Sequence, residues 1–270
     1  MNTTFRTLLN EAQLTYEMLG AGATQVGKAG YATKGIYFQA FTSLATGLER
    51  IGKLCLMLDY YIDNDGQFPD LMYLKDEIGH DLKALYLKSQ ELIDRRSIQL
   101  EYINKFDDEI HLNIFNILSG FAKGDRYSNI DLLVGSHRSV DSMALWFNLV
   151  DNLLFERRVT DKKKEKIANN ARVIEQFTGA FSMVLFTSET GEEMNQVEDA
   201  SFRTGMMEAV RPLRQLYVIQ IIRYWAEILC ELQYKATGLG KQDVPHMNEF
   251  LGLFRRDDAY ILNRKTWDTV

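Results

Sequence analysis

Apolar residues along this chain recur at alternating steps of four and three, the spacing that places them on one face of an α-helix. The pattern is cleanest at Tyr37, Phe41, Leu44, Leu48, Ile51, Cys55, Leu58 and Ile62. It predicts a helix over 34–62, ~40 Å long at the usual rise per residue. The turn-forming run Asp63-Asn64-Asp65-Gly66-Gln67-Phe68-Pro69 stops it. Upstream, Phe5, Leu8, Leu9 and Leu14 predict a first helix over 3–20, with Thr3 or Thr4 as its cap. Residues 21–32 are rich in glycine and alanine and read as a loop or a close helix approach. A glycine-rich loop is able to cradle phosphate, but the preceding strand and the G-x-x-x-x-G-K-[ST] order are both missing.

Beyond the turn, a short piece over 71–78 ends at Gly79, and Leu82, Leu85, Ser89 and Leu92 mark a helix over 81–95. Asp107-Asp108 suits the start of the next helix, where negative charge complements the dipole, and Ile110, Ile114, Leu118 and Phe121 are its core face. Further helices are predicted over 138–157, 161–187 and 198–236. The last carries Met206, Val210, Leu213, Tyr217, Ile221, Tyr224, Ile228 and Leu232, with Pro212 as a kink or near a true start. Gly238-Leu239-Gly240 ends it, and a short helix over 245–254 and an irregular tail follow. No stretch shows sustained period-two alternation. The expected fold class is all-α, a helical bundle over 1–158 with a C-terminal helical extension, 159–270, packed on it or continuous with it.

Composition narrows the function. A chain of 270 residues that is 46% hydrophobic and 25% charged is globular in type. Its net charge of −6 removes a general drive toward nucleic acid. The basic run Arg157-Arg158…Lys162-Lys163-Lys164…Lys166 reads as a solvated loop and helix start. Cys55 and Cys230, each in an apolar helical stretch, suit free buried thiols in a reducing cytoplasm. No signal peptide or membrane span is expected. H-E-x-x-H, G-x-S-x-G and dinucleotide fingerprints are missing. Glu77-Ile78-Gly79-His80 is a lone Glu-x-x-His without the second copy a di-metal bundle needs. Neither a metal nor a cofactor is expected.

Charged residues interrupt the apolar rhythm in three places. Glu49 and Lys53 are four apart in the long helix, in the favourable order for an ion pair. His80 and Asp81 enter a helix that Asp81 is placed to cap. Arg126, Tyr127, Asn129 and Asp131 follow a helix and a glycine. Arginine there is suited to bidentate anchoring of Glu49 or Asp81, which predicts that Glu49, His80, Asp81 and Arg126 converge.

The order of a long helix with Glu-x-x-x-Lys, then Gly79-His80-Asp81-Leu82-Lys83-Ala84-Leu85, then Arg126-Tyr127 resembles the HEPN superfamily of bacterial helical proteins, over about residues 34–135. That resemblance implies a small helical bundle, frequent dimerisation, and a role in toxin–antitoxin, phage-defence or RNA-processing systems. Many members are metal-independent ribonucleases that use an Arg followed four to six residues later by His, supplied twice across a dimer. In such a site His handles the 2′-hydroxyl proton and Arg stabilises the charged phosphorane. Here none of His80, His111, His137 and His246 has an arginine at that spacing, and Arg126 lies eleven positions before His137. The expectation is therefore a non-catalytic interaction protein that meets a protein partner or itself through helices. The alternatives are an atypical ribonuclease using His80 and Arg126, and a small-molecule or nucleotide sensor with a pocket between helices.

Overall fold

The computed structural model describes residues 2–135 and 140–268. The chain is all-α apart from one two-stranded hairpin among the described residues. Helix α1 (Thr3–Val26) starts where the Asn2 side chain accepts from the Phe5 amide at 2.8 Å. It runs past residue 20 through the predicted loop. Glycines make its contact with the next helix: a Cβ on Gly22 would meet Leu44 at 2.6 Å, and one on Gly47 of that helix would meet Leu19 at 2.7 Å. The two helices each seat a leucine against the other's glycine. That contact offsets the ~1 kcal/mol that a helical glycine costs. Leu14, read as a core contact, is exposed.

Helix α2 (Lys34–Asp63) forms as the stripe predicts, with Tyr37 to Leu58 buried, and it packs against α1 and later helices. Helix α3 (Leu71–Tyr73) passes into a π turn, Leu74–Ile78, which Gly79 ends at φ 73°. Helix α4 (Leu82–Arg96) is capped by Asp81, and α5 (Glu109–Lys123) by Asp108. Then come α6 (Ser128–Leu133), α7 (Ser142–Trp146), a second π turn (Phe147–Asp151) and α8 (Asn152–Arg158). The predicted helix 138–157 is thus interrupted by the π turn. Residues 138–139, like His137, lie outside the described residues.

Helix α9 (Asp161–Thr178) is shorter than predicted, since the segment after it reverses into a hairpin. That hairpin pairs β1 (Phe186–Thr187) antiparallel with β2 (Glu193–Met194). Helix α10 (Val197–Thr237) then spans 41 residues and keeps Pro212 in its interior. Between Arg214 and Gln233 nearly every residue is buried, whatever its direction. Helices α1, α2, α5, α8 and α9 contact it, as do α11 (Asn248–Leu251) and α12 (Asp258–Asn263). A helix apolar all round belongs at the centre of a domain. One core cluster runs accordingly from Leu8 to Trp267, where the tail expected to be irregular closes over α1. Both cysteines are free and buried.

Candidate functional site

Three of the sequence-selected residues meet on the flank of α2. Lys53 Nζ lies 2.7 Å from Glu49 Oε1 and 2.8 Å from His80 Nδ1, and His80 Nδ1 lies 2.8 Å from Glu49 Oε1. The helix places Glu49 and Lys53 one turn apart, and Gly79 swings His80 over them. Glu49 and Lys53 are half-buried, while the His80 side chain is 74% exposed. Burial raises the Glu49 carboxyl, but hydrogen bonds from Lys53 and His80 outweigh it and hold the group below the usual carboxylate range. Nδ1 is unable to donate to Glu49 and accept from Lys53 at once. Protonated, it gives its hydrogen to Glu49; bare, it accepts from Lys53. Lys53 has hydrogens enough to serve either state. Glu49 and Lys53 border a cavity of about 430 Å³ between α1 and α2, where Arg50 bridges to Glu11 at 2.5 Å.

Asp81 goes elsewhere. It accepts from the Lys83 amide at 2.9 Å as cap of α4 and pairs with Lys123 Nζ at 2.5 Å, tying α4 to the end of α5. Burial works against its charge, and Lys123 together with the amides at the start of α4 more than compensates, so its pKa is lowered.

Arg126 makes no hydrogen bond or ion pair with Glu49, His80 or Asp81 among the described residues. Arg126 is exposed, with its guanidinium over the Tyr127 ring at 5.0 Å. It lines a separate cavity of about 220 Å³ with Phe38, Phe41, Phe121 and Asn129. Phe38 precedes Glu49 by eleven positions on α2, which is roughly 16 Å along a helix. The physical reason is local: Gly124 lets α5 end in a short turn that folds back toward the start of α2. Asp131 sits beyond, on α6. His80 thus has an orienting carboxylate, as a general base requires, but among the described residues no arginine is bonded to it.

The strongest polar contacts involve residues that the sequence reading did not select. Arg214 of α10 and Asp151 of the second π turn are both 1% exposed at the side chain and joined by two bonds. Burial works against the Arg214 charge, but Asp151 raises its pKa above the ordinary value. Glu189, in the hairpin turn, is also buried. Among the described residues neither of its carboxylate oxygens accepts a hydrogen bond, and Arg203 stands over the Phe147 ring with its Nε 3.6 Å away. Arg223 reaches Asp258 at 2.9 Å. The signal for the two α10 arginines was present: charges inside a stretch apolar all round must be paired. Among the described residues, no group of three or more His, Cys, Asp or Glu is arranged to hold a metal ion. No described helix is long and apolar enough to cross a membrane. Comparisons with known protein families, curated proteins and solved structures find no match.

Proposed function

We propose that this chain is a non-catalytic, HEPN-like helical interaction protein of a bacterial defence or toxin–antitoxin type system, acting by contact in the cytoplasm. The observation that carries the reading is a run of apolar side chains left in solvent. It begins with Val173, Ile174 and Phe177 on α9 and continues through Phe181, Met183 and Leu185 ahead of the hairpin. The last four are 77%, 93%, 80% and 83% exposed. Isolated monomers rarely expose contiguous apolar surface of this kind. Self-association is the partner we assign, in keeping with the dimerisation that the HEPN resemblance implies. The separation of His80 from Arg126 within one chain weighs against the ribonuclease reading, which needs the pair to be completed between chains.

Sedimentation across a concentration series tests the assignment. The parent is expected to dimerise, and Phe177→Ser with Phe181→Ser to weaken the dimer by at least about tenfold, or ~1.4 kcal/mol. A strictly monomeric parent rejects self-association. RNA cleavage is measured in parallel with and without chelator. Robust cleavage by the parent, lost in folded His80→Ala and Arg126→Ala, rejects the non-catalytic reading and favours a metal-independent ribonuclease.

A further inference from the structure

The extended segment that leads into β1 has an open edge. Ser182 has strand geometry, at φ −124° and ψ 141°, and the chain runs on to Thr187 without a turn or bend. Phe186 lies opposite Met194 and Thr187 opposite Glu193, and the Ser188 amide continues the ladder by donating to the Glu192 carbonyl at 2.8 Å. Along an antiparallel strand, alternate residues direct their amides and carbonyls to opposite edges. Ser188 and Phe186 therefore face β2. Thr187 faces away from it, and the same alternation sends Leu185 and Met183 to the outer edge. Among the described residues, no hydrogen bond uses the backbone of Ser182, Met183, Val184 or Leu185.

The far end of this segment is held in place. Lys34 Nζ donates to Thr187 Oγ1 at 2.7 Å, and the Phe186 ring stands edge-on to Tyr31 at 5.7 Å. Side chains alternate as they do on a strand: Met183 and Leu185 stand in solvent, and Val184 between them is half-buried. A strand edge in solvent is ordinarily blunted by charge or by proline. Residues 179–188 contain no charged residue, no histidine and no proline, in a chain that is 25% charged. Such a stretch meets its own copy without like-charge repulsion, whereas a charged partner strand finds no counter-charge on it.

We propose that two copies of the chain join by antiparallel pairing of this edge, with Val184 opposite itself across a two-fold axis. Met183 of each copy then meets Leu185 of the other and exchanges backbone hydrogen bonds with it, so both outer-edge residues are used. The proposal rests on the self-association reading and names its mode. Main-chain bonds supply the affinity, and the exposed apolar side chains line up across the two strands. A pairing of identical surfaces consumes the edge, so the assembly closes at a dimer.

Oxidative cross-linking and sedimentation of the full chain test the mode. A residue opposite itself in the non-hydrogen-bonded position has Cα atoms ~4.5 Å apart, inside the ~4.4–6.8 Å that a disulfide spans. Val184→Cys is expected to form a covalent dimer on mild oxidation, reversed by reductant. The parent, whose Cys55 and Cys230 are buried, is expected to form none. Leu185→Pro removes an outer-edge amide and keeps an apolar side chain; it is expected to weaken the dimer by at least about tenfold. Leu185→Ala keeps the amide and is expected to weaken it less. The pairing is overturned, with self-association intact, by a dimer that Leu185→Pro weakens no more than Leu185→Ala does, by a Val184→Cys dimer that stays unlinked, or by growth beyond a dimer. A strictly monomeric parent overturns both readings.

Discussion

Arg214 and Asp151 form a two-bonded ion pair in the middle of the bundle, with Nε 2.6 Å from Oδ1 and Nη2 2.5 Å from Oδ2. Trp146 Nε1 adds a hydrogen bond to Asp151 Oδ1 at 3.1 Å, and Arg214 Nη1 donates to the Ala29 carbonyl at 2.9 Å. The pair thus joins α10, the α1–α2 turn and the π turn before α8. A π turn is a single wider loop of helix that re-aims the residues on it, and here it carries Asp151 into the core.

Removing one member of this pair leaves a buried charge without its partner. Asp151→Asn is expected to destabilise the fold by about 3–5 kcal/mol, whereas the double change Asp151→Leu with Arg214→Met recovers much of the loss. Urea unfolding of the parent, both single variants and the double variant checks this. A loss under ~1 kcal/mol for Asp151→Asn, the level of an exposed pair, would show that the pair is not needed for stability.

The Glu49–Lys53–His80 cluster should behave as a surface network. Because His80 is largely exposed, His80→Ala is expected to cost no more than about 1 kcal/mol, and Glu49→Gln a similar amount. Thermal melts of the two variants measure it. A substantially larger loss for His80→Ala would make the histidine a structural keystone and remove the reason to consider it as a functional group.

Acidification should act through His111. Burial lowers its pKa from the ordinary 6.5, against the opposing Gln220, Asp108, Asp107 and Asp258. The ring donates from Nε2 to Gln220 Oε1 at 2.8 Å, and Gln220 in turn donates to Asp258 at 2.9 Å. The folded chain binds this proton less readily than the unfolded one, so the contribution is present above 6.5 and is lost as pH falls below it. Glu49 and Asp81, both lowered, lose their contributions only further down, as pH drops through the carboxylate range. Urea midpoints from pH 8 to pH 5 are expected to fall for the parent, with a shallower slope for His111→Gln. An equal slope in the variant would assign the effect to other groups.

Much of the local structure was legible in the chain. The 34–62 stripe, its stop at residues 63–69, the Asp81 cap and the faces of α4 and α5 all follow from contacts within a few residues of one another. The Glu49–Lys53 pairing was equally local. The extension of α1 through Gly20 and Gly22 was not legible. Glycine in isolation disfavours a helix, and only the reach of Leu44 and Trp267 toward those positions explains its use. The stop of α9 at Thr178 escaped for the opposite reason: Phe181, Met183 and Leu185 continue the apolar composition, but they stand in solvent.

By itself, then, the sequence determined the all-α class, the position of α2, α4 and α5 and the apolar face of each, because those properties depend on side-chain spacing along a single helix. Tertiary structure alone decided the pairing of charges across helices. Arg126 turned to its own cavity beside Phe38, Asp81 took Lys123, and Arg214 found Asp151. A buried charge must have a partner, but any of several carboxylates satisfies that need on paper. The choice among them is made by the packing of apolar faces, which sets which helices lie within a hydrogen bond of each other.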